Sequence, residues 1–126
     1  MKKLLIIPML FACYLCIGQT DSASIIGKSI RIGNLVVAQN DFPSMMNWED
    51  AINACKALRN GWRLPTKDEL DKLHDNKDAI GGFKKDYYWS FGEDNGGFAW
   101  FQSFNNGYQY FNYKGSKIYV RAVRSL

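Results

Sequence analysis

The stretch from Tyr87 to Arg124 constrains this chain more than any other. Fourteen of the nineteen aromatic residues fall between Phe83 and Tyr119, mixed with Gly, Asn, Ser and Gln and almost without long aliphatic residues. A segment built only to fill a core would carry Leu, Ile and Val as well. Tyr beside Ser, Gly and Asn is the composition of adaptable binding surfaces, where rings of low side-chain entropy sit next to small hydrogen-bonding groups. Four strand-length runs stand out: Tyr87–Phe91, Phe98–Phe104, Tyr108–Tyr113 and Lys117–Val123. Gly96-Gly97, Asn105-Asn106-Gly107 and Lys114-Gly115-Ser116 separate them, each a turn signal. The spacing predicts a compact antiparallel sheet. Strict alternation would bury about half of its rings, with Phe104 and Phe111 inside.

The chain ahead of this segment reads as α+β. Ile25 to Gln39 predicts a strand or a short hairpin, with Gly33-Asn34 as its turn. Asn47 is a good N-cap for a helix whose first turn carries Glu49 and Asp50. Trp48, Ala51, Ile52, Cys55 and Leu58 give that helix one apolar stripe, and Gly61 stops it. On this stripe Cys55 reads as a small buried hydrophobe rather than a reactive thiol. Pro65 keeps Leu64 extended. Thr66 and Glu69 then form a capping box for a second short helix, running to about His74. The single histidine has no partner set for a metal and reads as a solvated residue at a helix end. Asp75 to Asp86 reads as a loop.

At 126 residues the sequence allows one domain. Lys2 and Lys3 followed by the fourteen apolar or small residues Leu4 to Ile17 resemble a secretory signal, too short for a membrane span of roughly 20 residues. Cleavage before Gln19 would give residues 1–18 as signal peptide, 19–29 as a flexible leader and 30–126 as the functional domain. An alternative reading acylates Cys13 within Leu10-Phe11-Ala12-Cys13, converting a secreted protein into a membrane-anchored one. Cleavage leaves Cys55 as the sole cysteine, so packing rather than a disulfide must stabilise the fold. It also leaves 14 basic residues against 12 acidic ones, a net charge of +2, too mild to point to nucleic acid.

Several short motifs in order resemble one family. They are Gly61-Trp62-Arg63-Leu64-Pro65-Thr66, Tyr88-Trp89-Ser90, Ala99-Trp100, Phe104 with Gly107, and Tyr119-Val120-Arg121-Ala122-Val123-Arg124. Together they look like the Lcl C-terminal-domain family, named for a bacterial collagen-like adhesin and similar to the sulfatase-modifying-factor branch of the C-type-lectin-like fold. The resemblance covers about Ile30 to Leu126. It implies an α+β, C-type-lectin-like domain with two short helices on a small C-terminal antiparallel sheet, and ligand binding rather than a reaction. Some relatives are variable proteins of diversity-generating retroelements, and Phe101 to Tyr113 looks like such a variable region. The chain departs from the pattern at Phe91, where the family often has a second Ser. It also lacks the carboxylate–Pro–Asn triplet of calcium-dependent lectins and the active-site cysteines of formylglycine-generating relatives. Neither calcium-dependent sugar binding nor that chemistry is therefore carried over.

The expected binding residues are Phe101, Ser103, Asn105, Asn106, Tyr108, Tyr110, Asn112 and Tyr113. Their rings would stack on sugars or fill protein pockets while Asn and Ser supply hydrogen bonds. Trp62, Trp89 and Trp100 read as core payloads whose N–H groups need partners. Arg63, Arg121 and Arg124 could form fork-like bonds to carboxylates or carbonyls, the last two alternatively lying on a solvated strand face. No metal ligand set, cofactor site or catalytic constellation is visible. The acid clusters Asp68, Glu69, Asp71 and Glu93, Asp94 serve a helix start and a turn. The expected partner is a protein or glycan at the cell surface, bound by a monomer. An assembling surface component joined by strand pairing is the alternative, and an enzyme the remoter one.

Overall fold

The computed structural model describes residues 21–126. The expected signal peptide, with its alternative acylation at Cys13, lies outside the described residues. The order of elements is α1 (Asp21–Ile26), β1 (Ile30–Ile32), β2 (Leu35–Val37), α2 (Trp48–Ala57), α3 (Lys67–Asp75), α4 (Lys77–Ile80), β3 (Tyr87–Asp94), β4 (Phe98–Ser103), β5 (Gln109–Tyr113) and β6 (Val123–Ser125).

The strands form two antiparallel sheets of three rather than one, in the orders β1-β2-β6 and β3-β4-β5. The hairpin expected around Gly33-Asn34 is the β1–β2 pair, with Ile32 opposite Leu35. β6 returns beside β2, placing Val36 opposite Arg124. The stretch expected as a fourth strand, Lys117–Val123, is not one. Its backbone threads between the sheets, meeting β3 through the bridge Tyr119–Tyr88 and the segments ahead of the two longer helices through Ile118–Met46 and Val123–Arg63. Trp89 N–H donates to Tyr119 O at 3.1 Å and Ala38 N–H to Ala122 O at 3.0 Å, so this segment stitches the two sheets together. A strand that changes partners every few residues still reads as β-prone in sequence, which is why the ladder was expected there.

Both helices start as their residues dictate. Asn47 Oδ1 accepts the Asp50 amide at 2.8 Å. The capping box is complete, with Glu69 N–H on Thr66 Oγ1 and Thr66 N–H on Glu69 Oε1. α2 ends where Arg59, Asn60 and Gly61 all take left-handed backbone. Its stripe of Trp48, Ala51, Cys55 and Leu58 is buried against Trp62, Trp89 and Ala99 in one core cluster. A second cluster gathers Leu70 and Leu73 of α3 with Leu35, Val37, Tyr88, Phe104 and Val123. The sheet β3-β4-β5 thus packs on both sides at β3, through Trp89 in the first cluster and Tyr88 in the second.

Two expectations on the flanks are corrected. Asp21–Ile26, which includes the start of the strand expected from Ile25, is helical, and Ile25 sits in the first core cluster. The expected loop after α3 contains α4, anchored by buried Ile80. One buried isoleucine per helical turn leaves no periodicity to read, so neither element was visible in the sequence.

Candidate ligand-binding face

β5 has the outer position in its sheet, and each of its residues beyond Gln109 is exposed. Cross-strand partners share a face. The pairs Phe98–Tyr113, Trp100–Phe111 and Gln102–Gln109 therefore line one side of the sheet, and Ala99–Asn112 and Phe101–Tyr110 the other. Neither core cluster extends over β5, so alternation there buries no ring. Phe111, expected inside, is 51% exposed, whereas Phe104 is buried as expected.

Of the eight expected binding residues, Asn105, Asn106, Tyr108, Tyr110, Asn112 and Tyr113 are exposed, and Phe101 and Ser103 are buried. Phe101 packs between Tyr87 and Tyr110, at ring separations of 4.9 and 5.8 Å. Ser103 Oγ accepts the amides of Asn105 and Asn106 at 3.2 and 3.3 Å and shapes the turn into β5. These two residues therefore hold the face rather than present it. Tyr110 and Asn112 point to one side of the sheet and Tyr113 to the other, so the expected residues do not form a single patch.

The sequence reading missed Tyr87, Phe91, Phe98 and Phe111. All are 40–53% exposed and belong to β3, β4 or β5. Their signal was present in the aromatic segment, but a Phe in a strand reads as core until the covering layer is known. Phe98 and Phe111 approach at 5.9 Å and Trp100 and Phe111 at 5.2 Å, making a continuous aromatic strip on the Tyr113 side. Trp100, expected in the core, is only half-buried, with the Lys67 ammonium 3.5 Å above its ring.

Polar anchors make this edge rigid. Gln102 is buried, and its Nε2 donates to Asp71 Oδ1 at 2.9 Å and to Gly107 O at 3.0 Å. Gln109 Nε2 donates to Gln102 Oε1 at 3.1 Å and to Lys67 O at 2.8 Å, tying β5 to the start of α3. Asn106 bridges Tyr108 N–H and the Tyr110 hydroxyl. Gly107 has φ +84°, and a Cβ there would lie 2.8 Å from His74 Cε1. The turn therefore needs glycine on two grounds. His74 itself is not a solvated helix end: it meets the Phe104 ring edge-on at 5.3 Å.

Three further groups are structural. Trp48 and Trp89 donate their indole N–H groups to Ser90 O and Met46 O. Arg63 clasps Glu69 with two bonds of 2.7 and 2.9 Å, which hold the Glu69 carboxyl below the usual glutamate range. Arg121 is buried and paired with Asp41, not on a solvated face. Burial pushes the Cys55 thiol up to about 12, far from thiolate chemistry at neutral pH.

Two small antiparallel sheets, linked by a bridging C-terminal segment and flanked by helices, define the C-type-lectin-like fold. The chain belongs to the Lcl C-terminal domain family, whose model matches residues 28–124. Among solved structures, botrocetin is similar at 14% identity and a TM-score of 0.60, over 79% of this chain and 98% of that one. The complex of botrocetin with the von Willebrand factor A1 domain (mutant I546V) matches at 12% identity and a TM-score of 0.57, over 79% and 98%. EMS16, an antagonist of the collagen receptor integrin α2β1, matches at 10% identity and a TM-score of 0.60, over 78% and 97%. At these identities the likeness concerns the fold. No curated protein matches the chain.

Proposed function

We propose that this chain is a ligand-binding module, secreted or displayed on the cell surface, non-catalytic and independent of calcium. One observation carries the reading. Tyr87, Phe91, Phe98, Tyr108, Tyr110, Phe111 and Tyr113 are 40–66% exposed, and all lie on or beside one three-stranded sheet. Phe98, Phe111 and Tyr113 leave ring surface uncovered on one side of the sheet and Tyr87 and Tyr110 on the other, and monomeric proteins rarely expose large apolar patches without a partner. The glutamine and asparagine network holds the β5 strand and the Tyr110 hydroxyl, which lowers the ordering entropy that opposes binding. Botrocetin, of the same fold, is seen in complex with a protein domain, which favours a protein ligand over a glycan here. Calcium independence rests on the missing carboxylate–Pro–Asn triplet.

The test is a panel of purified surface proteins and glycans probed with the chain and with Phe111→Ser/Tyr113→Ser and Tyr110→Ser variants. A ligand captured by the parent chain and lost by a variant of unchanged thermal midpoint supports the reading. Capture that survives both variants, or that needs calcium, overturns it.

A second reading has its own observation. The outer edge of β5 is open, and Gln109–Tyr113 carries no charge and no Pro, the features that usually guard an edge. Assembly by strand pairing would show as concentration-dependent mass in sedimentation. The binding reading expects a monomer. The segment Gln109–Tyr113 lies within Phe101 to Tyr113, which by the family resemblance looks like a variable region. A near-copy of the codons for Ala99–Arg124 beside a reverse transcriptase gene would establish diversification.

A further inference from the structure

The backbone of β5 is paired on one side and bare on the other. Ser103 N–H donates to Tyr108 O at 2.9 Å, and Lys114 N–H to Gly97 O at 2.9 Å. In the register that sets Phe98 opposite Tyr113, these bonds mark every second residue as turned towards β4. Tyr110 and Asn112 share that direction, so the N–H and C=O groups of Gln109 and Phe111 point outward. Those groups meet no partner among the described residues. The bare stretch is bounded at both ends. Tyr108 N–H is taken by Asn106 Oδ1 at 2.9 Å and Tyr113 N–H by Asn112 Oδ1 at 2.7 Å, while Tyr113 O accepts Ser116 N–H at 3.0 Å. At the far edge of the same sheet, β3 is covered: Tyr119 O and Pro65 O accept the amides of Trp89 and Phe91 at 3.1 and 2.7 Å.

Backbone donors and acceptors left open along a short edge are the complement of an extended polypeptide. The placement of the rings favours the same partner. Phe98, Phe111 and Tyr113 lie on one side of the sheet and Tyr110 on the other. A flat sugar ring or a globular surface lies against one side. An added strand turns successive side chains to both sides and so reaches rings on each. Charge narrows the partner further. β5 carries none, and the Lys67 ammonium, 3.5 Å above the Trp100 ring on the Phe111 side, has no carboxylate partner among the described residues.

We infer that the ligand is an extended segment of a partner protein, added to β5 as a further strand. It bonds to Gln109 and Phe111, packs apolar side chains on Tyr110 and Phe111, and turns an acidic one towards Lys67. The inference rests on the binding reading above and specifies its ligand.

The test is a selection of random linear dodecapeptides displayed on phage against the immobilised chain, with the strongest binder synthesised free. An N-methyl scan of that peptide should alternate, with losses of at least about tenfold at every second residue and less than about twofold between them. The amides of Gln109 and Phe111 should exchange more slowly with solvent in the complex. Phe111→Pro removes one outward donor at a position where an edge strand accepts proline. It should bind at least about tenfold more weakly than Phe111→Ala, which loses the same ring but keeps the N–H. The scan and the exchange use the parent chain, so neither depends on how Phe111→Pro folds. Lys67→Glu should weaken binding at least about twofold, and an unchanged affinity would strike the acidic residue from the ligand. No selected peptide, or N-methyl losses without alternation, would overturn the inference. So would amide protection that grows with protein concentration in the absence of peptide, which gives the edge to a second copy of the chain. A surface protein or glycan lost with Phe111→Ser/Tyr113→Ser, but leaving the Gln109 and Phe111 amides unprotected, would overturn strand addition while the binding face stands.

Discussion

Arg121 donates from Nε to Asp41 Oδ1 at 2.7 Å, across 80 residues of chain, with its side chain fully buried. The Tyr88 hydroxyl donates to the other Asp41 oxygen at 2.6 Å, and Ala38 O and Gly81 O accept from the guanidinium. One ion pair therefore ties the loop after β2, the loop 81–86, β3 and the bridging segment together. Burial and the Asp41 carboxylate both push the Tyr88 phenol well above its ordinary range.

Arg121→Met should destabilise the fold by about 3–5 kcal/mol, because buried Asp41 would lose its hydrogen-bonded cation and keep only the exposed Lys84 ammonium at 3.9 Å. Denaturant unfolding checks this. The double variant Asp41→Leu/Arg121→Met should lose clearly less than the two single variants summed, since no charge is stranded. Additive losses would mean that the two residues act separately.

Tyr108→Ser/Tyr110→Ser/Tyr113→Ser should keep the thermal midpoint of the parent within a few degrees, as all three rings are exposed. Phe104→Ala should lower it steeply, because Phe104 is buried between Phe83, Tyr88 and His74. Removing a buried Phe costs about 3–5 kcal/mol, and each kcal/mol moves the midpoint by roughly 4–8 °C in a domain near this size. Similar drops in both variants would make β5 part of the core.

The Arg63–Glu69 clasp should make stability depend on pH in the acid range. Its hydrogen bonds lower the folded-state pKa of Glu69. A depressed carboxyl pKa contributes stability that is complete above the unfolded value, about 4.3, and is lost as pH falls through the folded one. The advantage of the parent over Glu69→Gln should be constant near neutrality and vanish in strong acid. A pH-independent difference would assign the effect to packing.

Cys55 should resist a thiol reagent at pH 8 for as long as the fold persists, being fully buried with its thiol at about 12. Modification should accelerate in step with unfolding across a denaturant series. Rapid native-state reaction would show an opening of α2 that the packing does not.

The local rules were legible. Asn47, the Thr66–Glu69 box, the stripe on α2 and the turn glycines fix where helices begin and strands end, because caps and turns depend on a few neighbouring residues. The ordered motifs from Trp62 to Arg124 were enough for the family. The candidate face was legible only as a region. Gln102 and Phe101 alternate like any strand residues, yet Gln102 is a buried tether and Phe101 a support.

By itself, then, the sequence determined the α+β class, the boundaries of α2 and α3 and the aromatic character of the last third of the chain. Those follow from backbone preferences and from periodicities of two and about 3.6 residues. Only the tertiary structure decided that the C-terminal run bridges two sheets, that Arg121 is buried against Asp41, and that β5 lies beyond both packed layers. The physical reason is that exposure belongs to what covers a residue. A tyrosine or phenylalanine in a strand carries the same local signal whether the layer above it is present or not.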